Sequence, residues 1–268
     1  MTQSLPDDFA EAVSARPELR GYRFEYKSVV TSTNDLAVVL AATDVETGTV
    51  VVADRQTAGR GRRGHDWHSP PGVGIYMSVI LRHACSPIIT LLAGVSVVES
   101  IHALTGVGAE LKWPNDVIVR SRLNKSDSVR VRKVAGILVE ALPAESGGGV
   151  VIGIGVNVRS SPRPSELEEM AASLDELSDT KTDRAPLCAD IRVRLEEWLR
   201  RLQLLGSSSV TERWRALSPS SHGVPVSWEE TGIRKRGITN GIDETGALLV
   251  LSEEGAERVV GGELFWEL

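Results

Sequence analysis

Cysteine is nearly absent from this sequence, and its scarcity excludes two kinds of stabilising site. Cys85 and Cys188 are the only cysteines among the 268 residues. Two cysteines so far apart in the chain do not indicate a disulfide framework or a thiolate zinc site. Histidine offers little more, because His65 and His68 flank Trp67 without a third ligand at suitable spacing. We therefore expect both to be surface histidines.

An excess of positive charge and long apolar runs are also missing. The formal net charge is −6, which argues against a broad basic surface for nucleic acid. The uncharged run at 84–98 is too short and too mixed to span a bilayer, and the acidic N-terminus lacks the apolar segment of a signal peptide. We therefore expect a cytoplasmic protein that binds neither nucleic acid nor a membrane.

Hydrophobic patterns predict an α+β fold, in which helices pack on a mixed, largely antiparallel sheet. Runs rich in β-branched residues predict strands at 49–54, 74–81, 116–120, 134–142 and 150–158. Apolar residues at helical spacing predict helices after the cap residues Ser32 and Asp35, from Ser86 to Gly106, at 165–177 and at 185–205. Several strands follow one another through turns, which favours antiparallel pairing over a parallel βαβ array.

The pattern changes after Ser218 and Pro219 to short strands separated by the turn sequences EETG, NGIDETG and SEEGA. Such spacing predicts a small all-β unit that starts at about residue 220. We place the boundary near 217–222, which divides the chain into domains at 1–218 and 219–268.

The segment TAGRGRRGHDWH at 57–68 threads three arginines between three glycines. GRGRRG satisfies the dinucleotide pattern G-x-G-x-x-G, but HDWHSPPGVG follows it and cannot form the helix that such a site needs. A loop of this composition can instead close over an anion with backbone N–H groups and arginine forks. The alternatives are a solvated basic turn and a nucleic-acid loop, and the acidic balance of the chain disfavours the second.

The segment LKWPND at 111–116 predicts a polar turn that opens a strand. Pro114 favours an extended Trp113, and Asn115 and Asp116 then present an amide and a carboxylate. Taken alone, the segment is equally compatible with an ordinary β-turn.

Two later strands combine glycine with a polar group. Lys133 starts an apolar strand in which Gly136 allows close approach of a ligand, so it is either a catalytic cation or a charged strand end. In VVIGIGVNV, residues 151, 153, 155 and 157 share one face and read Val, Gly, Gly, Asn. That face is either a shelf for a flat ligand or a surface for close helix packing.

Five motifs, taken in order, resemble those of biotin protein ligase: TSTND, ADRQTAGRGRRGHDW, LKWPND, KVAGILVE and VVIGIGVNV. The resemblance covers residues 29–158, and the C-terminal part is similar to the family's SH3-like domain. It implies a class II aminoacyl-tRNA-synthetase-like catalytic domain at 1–218 and an SH3-like barrel at 219–268. It also implies an enzyme that activates biotin with ATP and Mg²⁺ and attaches it to a lysine of a biotin carboxyl carrier protein domain.

The same resemblance implies roles for individual residues. Lys133 and Arg62 would be catalytic, with Lys133 beside the biotin carboxylate and the α-phosphate. The implied biotin-binding positions are Ser32, Thr33, Asn34, Gln56, Gly59, Arg60, Gly61, Lys133 and Gly136. The implied ATP or adenylate positions are Arg62, Arg63, Trp67, Asn115 and Asn157. Asp116 would face Mg²⁺ through phosphate oxygens.

Two features depart from the family pattern. Only about 27 residues precede the first motif, too few for the helix-turn-helix domain that some members carry, so we expect a ligase without repressor activity. The polar insertion at 121–132 is longer than a tight hairpin needs, and its function is open. A monomer and a homodimer are both compatible with the sequence.

Three other functions fit parts of the pattern. A lipoate ligase or octanoyl transferase would share the catalytic fold and the lysine, although GRGRRG favours biotin. A nucleic-acid-binding regulator would use the arginines on phosphates and would show steep salt dependence. A non-catalytic biotin-binding module would bind biotin without consuming ATP.

Overall fold

The computed structural model describes residues 4–84, 86–122, 129–230 and 232–268. The α-helices of this part of the chain are α1 (Asp7–Ser14), α2 (Thr33–Ala41), α3 (Ile88–Thr105), α4 (Ser165–Glu168), α5 (Arg184–Leu205) and α6 (Ser207–Ala216). Its strands are β1 (Phe24–Val30), β2 (Val50–Gln56), β3 (Gly74–Arg82), β4 (Ala109–Lys112), β5 (Asp116–Arg122), β6 (Val129–Ala141), β7 (Gly149–Asn157), β8 (His222–Glu230), β9 (Ile233–Ile242), β10 (Leu248–Ser252), β11 (Gly255–Val259) and β12 (Leu264–Trp266).

The first seven strands form one sheet in the order β1-β2-β3-β7-β6-β5-β4. Among these strands β1 and β2 pair in parallel, and the other neighbours pair antiparallel. The predicted mixed, largely antiparallel sheet is confirmed. The sequence patterns did not anticipate the edge strands β1 and β4 or the helices α1 and α6.

The core lies between this sheet and the helices α3, α5 and α6. Helix α3 begins and ends close to its predicted limits, and Gly106 closes it with a left-handed φ of 68°. The helix is long and apolar enough to cross a membrane, but 67% of that window is buried inside the protein. Its place against α5 and the sheet is that of a core helix.

The last five strands form a second, antiparallel sheet in the order β11-β10-β9-β8-β12. This confirms a small β unit near the C-terminus and is compatible with an SH3-like barrel. Trp113 donates its indole N–H to the carbonyl of Gly246 at 2.9 Å, which ties the second sheet to the turn between β4 and β5. Buried residues of the two sheets belong to one core cluster, and the boundary at 218/219 stays a prediction.

The predicted helix at 165–177 is wrong over most of its length. Only Ser165–Glu168 is α-helical, and Leu174–Glu176 forms a 3-10 turn. Between them the chain leaves the helix through a turn at 169–170 and forms a parallel β-bridge with Lys133 at Ala171, where Met170 and Ala172 make hydrogen bonds to the backbone of Lys133.

The hairpin arms beside the polar insertion are longer than predicted. Strand β5 runs to Arg122 and β6 starts at Val129, so Lys133 lies inside a strand instead of at its start. The remaining part of the insertion, 123–128, lies outside the described residues.

Candidate active site

The N-terminus of α2 forms one wall of a narrow polar pocket, which we call the slot. The slot is lined by Ser32, Thr33, Asn34, Gln56, Arg60, Gly61, Trp67, Asn115, Lys133, Gly136, Ile137, Leu138, Gly153, Ile154 and Gly155. Ser32, Thr33 and Asn34 are 3%, 4% and 3% exposed. Ser32 precedes the helix as predicted, but its side chain makes no capping hydrogen bond with the described residues. The carboxamide oxygen of Gln56 accepts the Thr33 N–H at 2.8 Å instead. Gln56 therefore satisfies the helix end and lines the slot at once.

Two residues that hold Asn34 in the slot wall were missed by sequence reasoning. The Ser78 hydroxyl lies 2.6 Å from Oδ1 of Asn34, and Glu140 accepts the Asn34 amide N–H at 2.6 Å. Glu140 shares the face of β6 that carries Gly136, so the two-residue period of KVAGILVE could have pointed to it. Ser78 is a single hydroxyl in an apolar strand, which is a weaker signal.

Arg60 is held at the edge of the slot by two carboxylates. It pairs with Asp35 and with Glu140, whose Oε2 lies 3.1 Å from Nη2 of Arg60. The hydrogen bond to Asp35 raises the pKa of the Arg60 guanidinium, and the charge of Glu140 adds to the effect. Arg60 therefore already has two carboxylate partners within the protein.

The glycine-arginine segment folds back on itself as a short hairpin. Gly61 N–H donates to His65 O at 2.7 Å and Trp67 N–H donates to Gly59 O at 2.8 Å. At its tip Arg63 has a left-handed φ of 57°, which is uncommon for a residue other than glycine. A Cβ at position 59 would come within 2.6 Å of Trp67 O, so the hairpin needs glycine there. His65 and His68 are exposed, as predicted.

The glycine face of β7 is covered by protein side chains. Asn34, at the start of α2, packs on Gly153, and the Trp67 indole packs on Gly155. The helix-packing interpretation therefore holds at Gly153, and a flat ring from the glycine-arginine hairpin lies on Gly155. The indole N–H of Trp67 is buried and has no hydrogen-bond partner among the described residues.

Lys133 sits beside a β-bulge where β6 changes register against β5. Val117 pairs with Ala135 and Ile118 pairs with Lys133, which leaves Val134 as the extra residue. The Lys133 Nζ lies 2.5 Å from Oδ1 of Asp116 and 5.2 Å from the Trp67 ring centroid. The bulge thus places Lys133 next to Asp116, the residue at which β5 begins.

A larger cleft of about 770 Å³ lies on the other side of Lys133. Basic side chains outnumber acidic ones in its wall. The wall includes the cations Arg62, Arg63, Lys112, Lys133, Arg159 and Arg163, the carboxylates Asp66, Asp116, Glu166 and Glu263, and the amides Asn115 and Asn157. Burial lowers the pKa of the Arg62 guanidinium, and the neighbouring Arg63 lowers it further. Burial also lowers the pKa of Lys112. Arg62 and Lys112 are only partly solvated. A bound polyanion would stabilise their charges in place of water, so the cleft favours such a ligand.

Asn115 and Asn157 are fixed by backbone contacts around the lysine. The Asn115 amide N–H donates to Ile137 O at 2.8 Å, and the Asn157 amide N–H donates to Lys133 O at 3.4 Å. Arg62 reaches Oδ1 of Asn115 at 3.4 Å. Lys112 belongs to the same LKWPND segment, but sequence reasoning did not select it.

The slot and the cleft meet at four shared residues, which are Gly61, Trp67, Asn115 and Lys133. All of the predicted site residues line one pocket or the other except Gly59, which packs against Gln56 and Trp67. Residues from five separate motifs therefore come together in space.

The donor set suits a magnesium ion that arrives with phosphates. Among the described residues no group of three or more His, Cys, Asp or Glu side chains could hold a metal ion by itself. Asp116 offers a carboxylate at the cleft, and Mg²⁺ is commonly bound by one or two carboxylates together with substrate phosphates. The residues present therefore fit Mg²⁺ bound as a complex with a nucleotide.

The sequence is similar to proteins of one known family. The pattern of the Biotin/lipoate A/B protein ligase family matches residues 26–157. The Bifunctional ligase/repressor BirA of Bacillus spizizenii is 35% identical over 263 residues, which cover 93% of this chain and 75% of that protein. The Biotin–[acetyl-CoA-carboxylase] ligase of Mycobacterium tuberculosis is 34% identical over 63% of this chain and 61% of that protein.

The fold agrees as well. The structure of the biotin protein ligase from Aquifex aeolicus in complex with biotin and ATP superposes with a TM-score of 0.77 and 29% identity. It covers 91% of this chain and 98% of the other. By its sequence and its fold, this chain belongs to the biotin protein ligase family.

Proposed function

We propose that this protein activates biotin with ATP to biotinoyl-5′-AMP and then transfers biotin to a lysine of a biotin carboxyl carrier protein domain. The observation that carries this proposal is the meeting of two unlike pockets at Lys133. One is a narrow slot lined by hydrogen-bonding groups, and the other is a cationic cleft of about 770 Å³, within the usual range for ligand pockets of about 300–1,000 Å³. The two substrates of a carboxylate-activating ligase would meet where the pockets join.

The slot suits the polar head of biotin. Its amides and hydroxyls come from Ser32, Thr33, Asn34 and Gln56, all placed by the start of α2 and the end of β2. Amides both donate and accept hydrogen bonds, as a ureido group also does. We assign these residues, with Gly136 and the glycines of the hairpin, to biotin binding.

Lys133 and Arg62 would serve the chemical step. The biotin carboxylate attacks the α-phosphate of ATP, a bond to phosphorus forms, and pyrophosphate leaves. Two anions must approach each other, so cations at the point of contact lower the barrier. Asp116 would help to hold Mg²⁺, which would offset phosphate charge when bound. Asn115, Asn157, Arg63 and Trp67 would border the nucleotide.

The hairpin would protect the intermediate. A mixed anhydride hydrolyses in water, so it must be shielded until the carrier amine attacks its carbonyl and AMP leaves. The slot measures about 40 Å³, below the usual range for ligands. We infer that the slot widens when biotin enters.

The partner and the setting follow from the same proposal. The partner would be a carrier domain of a biotin-dependent carboxylase, in the cytoplasm, with Mg²⁺ accompanying ATP. Nucleic-acid binding is not expected, and the prediction of a ligase without repressor activity stays a prediction.

Intact-mass analysis of a carrier domain tests the proposal. The purified protein would be incubated with the domain, biotin and Mg-ATP, with lipoate or octanoate in parallel, and with ATP left out as a control. A biotin-sized gain that requires ATP is the expected result. Acylation by lipoate or octanoate without any biotin gain would move the chain to the neighbouring branch of the family. Biotin binding without ATP consumption would indicate a binding module.

A further inference from the structure

The backbone of Lys133 is held by a segment outside the sheet, which we call the strap (residues 160–176). Strand β7 ends at Asn157, and its pairing with β6 starts only at Ala135. Beside Lys133 the strap takes the place of a strand, because Lys133 N–H donates to Met170 O at 2.8 Å and Ala172 N–H donates to Lys133 O at 3.0 Å. The position of the lysine therefore depends on where the strap lies.

Two carboxylates hold the strap to β6. Glu169 pairs with Arg130 at 2.9 Å but is 74% exposed, so the main fastening is the less exposed carboxylate of Glu176. Its Oε2 accepts from Arg132 at 3.3 Å and from Arg163 at 3.4 Å, and Oε1 accepts from Arg163 and from Ser173 at 2.9 Å. Ser160 adds a hydrogen bond of 3.1 Å to Oε1. Arg132 is the neighbour of Lys133 on β6, so Glu176 joins the two ends of the strap to the strand that carries the lysine.

Arg163 completes the connection from within the strap. Its Nη1 donates to the carbonyl of Ala171 at 3.2 Å, between the two residues that bond to Lys133. The side chains of Arg132 and Arg163 are 8% and 12% exposed, and that of Glu176 is 25% exposed. Two nearly buried guanidinium groups thus share one carboxylate. Removal of that carboxylate would leave both positive charges without this counter-ion, which is destabilising.

We propose that Glu176 is a positioning residue for Lys133: it neutralises Arg132 and Arg163 and so fixes the strap against β6 at the point where the lysine enters the site. The proposal rests on the role proposed above for Lys133 in adenylate formation. Glu176 does not line either pocket and acts through the backbone contacts of Met170 and Ala172.

The test compares Glu176→Gln and Glu176→Asp with Glu99→Gln as a matched control. Glu99 lies on α3, is 16% exposed and accepts from Arg213 at 2.7 Å and Trp198 at 2.9 Å. It has a similar ionic environment but does not line either pocket. For each variant of the full chain, the measurements are thermal unfolding, KM for biotin, single-turnover pyrophosphate release and amide hydrogen exchange at Lys133 and Ala172.

For Glu176→Gln we expect pyrophosphate release to slow about tenfold or more, since small displacements at a reacting centre are costly. KM for biotin should change less than about twofold, because the amides and hydroxyls assigned to the biotin head lie on α2 and β2 and do not contact the strap. Exchange at Lys133 and Ala172 should accelerate, and Glu176→Asp, which keeps the charge, should recover most of the rate. Glu99→Gln should lower the melting temperature while both amides and the rate stay near wild type.

Two results would overturn the positioning role. One is a Glu176→Gln rate equal to that of Glu99→Gln at the same loss of melting temperature. The other is a slow variant in which exchange at Lys133 and Ala172 is unchanged. If the wild-type chain itself forms no adenylate, the proposed function fails, whereas the exchange data still report whether Glu176 holds the strap.

Discussion

The ammonium nitrogen of Lys133 lies 2.5 Å from Oδ1 of Asp116, so the charged residue shared by the two pockets already has an anionic partner. Asp116 would hold Mg²⁺ when Mg-ATP is bound, and Lys133 would then be available to the phosphate. The pair would then exchange partners on substrate binding, and the lysine would not be left uncompensated before the nucleotide arrives.

Lys133→Ala tests the central role of this cation. We expect adenylate formation to fall by about 10²- to 10³-fold, the cost of losing one preorganised group that stabilises developing charge. The fold should persist, because the side chain is 32% exposed and the backbone contacts remain. The measurement is burst-phase pyrophosphate release together with thermal unfolding. Lys181→Ala, which removes an exposed lysine outside both pockets, is the control, and near-normal burst kinetics in Lys133→Ala would contradict the role.

Arg62→Ala should weaken retention of the intermediate. A hydrogen bond to a charged group contributes about 1.5–3 kcal/mol, so biotinoyl-5′-AMP should dissociate about 10- to 100-fold more readily. Rapid-filtration release of labelled biotinoyl-5′-AMP measures the effect. The control is Arg55→Ala, which removes an exposed arginine on the face of β2 opposite to Gln56. Equal release rates in the two variants would remove Arg62 from the proposed site.

Much of the fold follows from local sequence patterns. The five apolar runs became strands and the spacing from Ser86 to Gly106 became α3, because each segment carries its own period. The strap is an exception. Its apolar spacing predicts a helix, but the C=O of Met170 and the N–H of Ala172 form hydrogen bonds with the backbone of Lys133 instead. Such a contact joins distant parts of the chain, and a local pattern does not contain it.

The site shows the same division. The motifs supplied Gln56, Trp67, Asn115 and Lys133 because each stands in a recognisable local segment. Glu140 was missed, since its partner Asn34 is 106 residues away and only the packing of α2 on the sheet brings them together. The motifs thus predict the polar groups of the site, whereas the Glu140 carboxylate that orients Asn34 reaches it only in the folded chain.

Gly155→Ala should disturb the seat of Trp67. A Cβ at this position would lie 2.5 Å from Nε1 and Cε2 of the indole, so the ring must move. We expect kcat/KM for biotin to fall by about 10- to 100-fold, because the ring borders Lys133 and both pockets. Gly108→Ala is the matched control, since its Cβ would meet open space. Steady-state kinetics with thermal unfolding distinguish the two, and wild-type kinetics in Gly155→Ala would mean that Trp67 needs no such seat.

Asp243 in the second sheet should make stability depend on pH. Burial alone would raise its pKa, but hydrogen bonds from Arg258, Thr245 and Ala247 outweigh burial and hold the pKa at about 2. A depressed folded-state pKa contributes stability above the unfolded-state value of about 3.9, and that contribution disappears as the pH falls toward 2. This loop also presents the Gly246 carbonyl to Trp113.

Asp243→Asn should therefore cost about 1 kcal/mol at neutral pH, a figure reduced for solvent screening because Arg258 is 50% exposed. The difference in free energy of unfolding from wild type should shrink steadily between about pH 5 and pH 2. Urea unfolding across this range measures it, with Glu244→Gln as a control that removes an adjacent exposed charge. A difference that stays constant with pH would show that the ionised carboxylate of Asp243 is not its source.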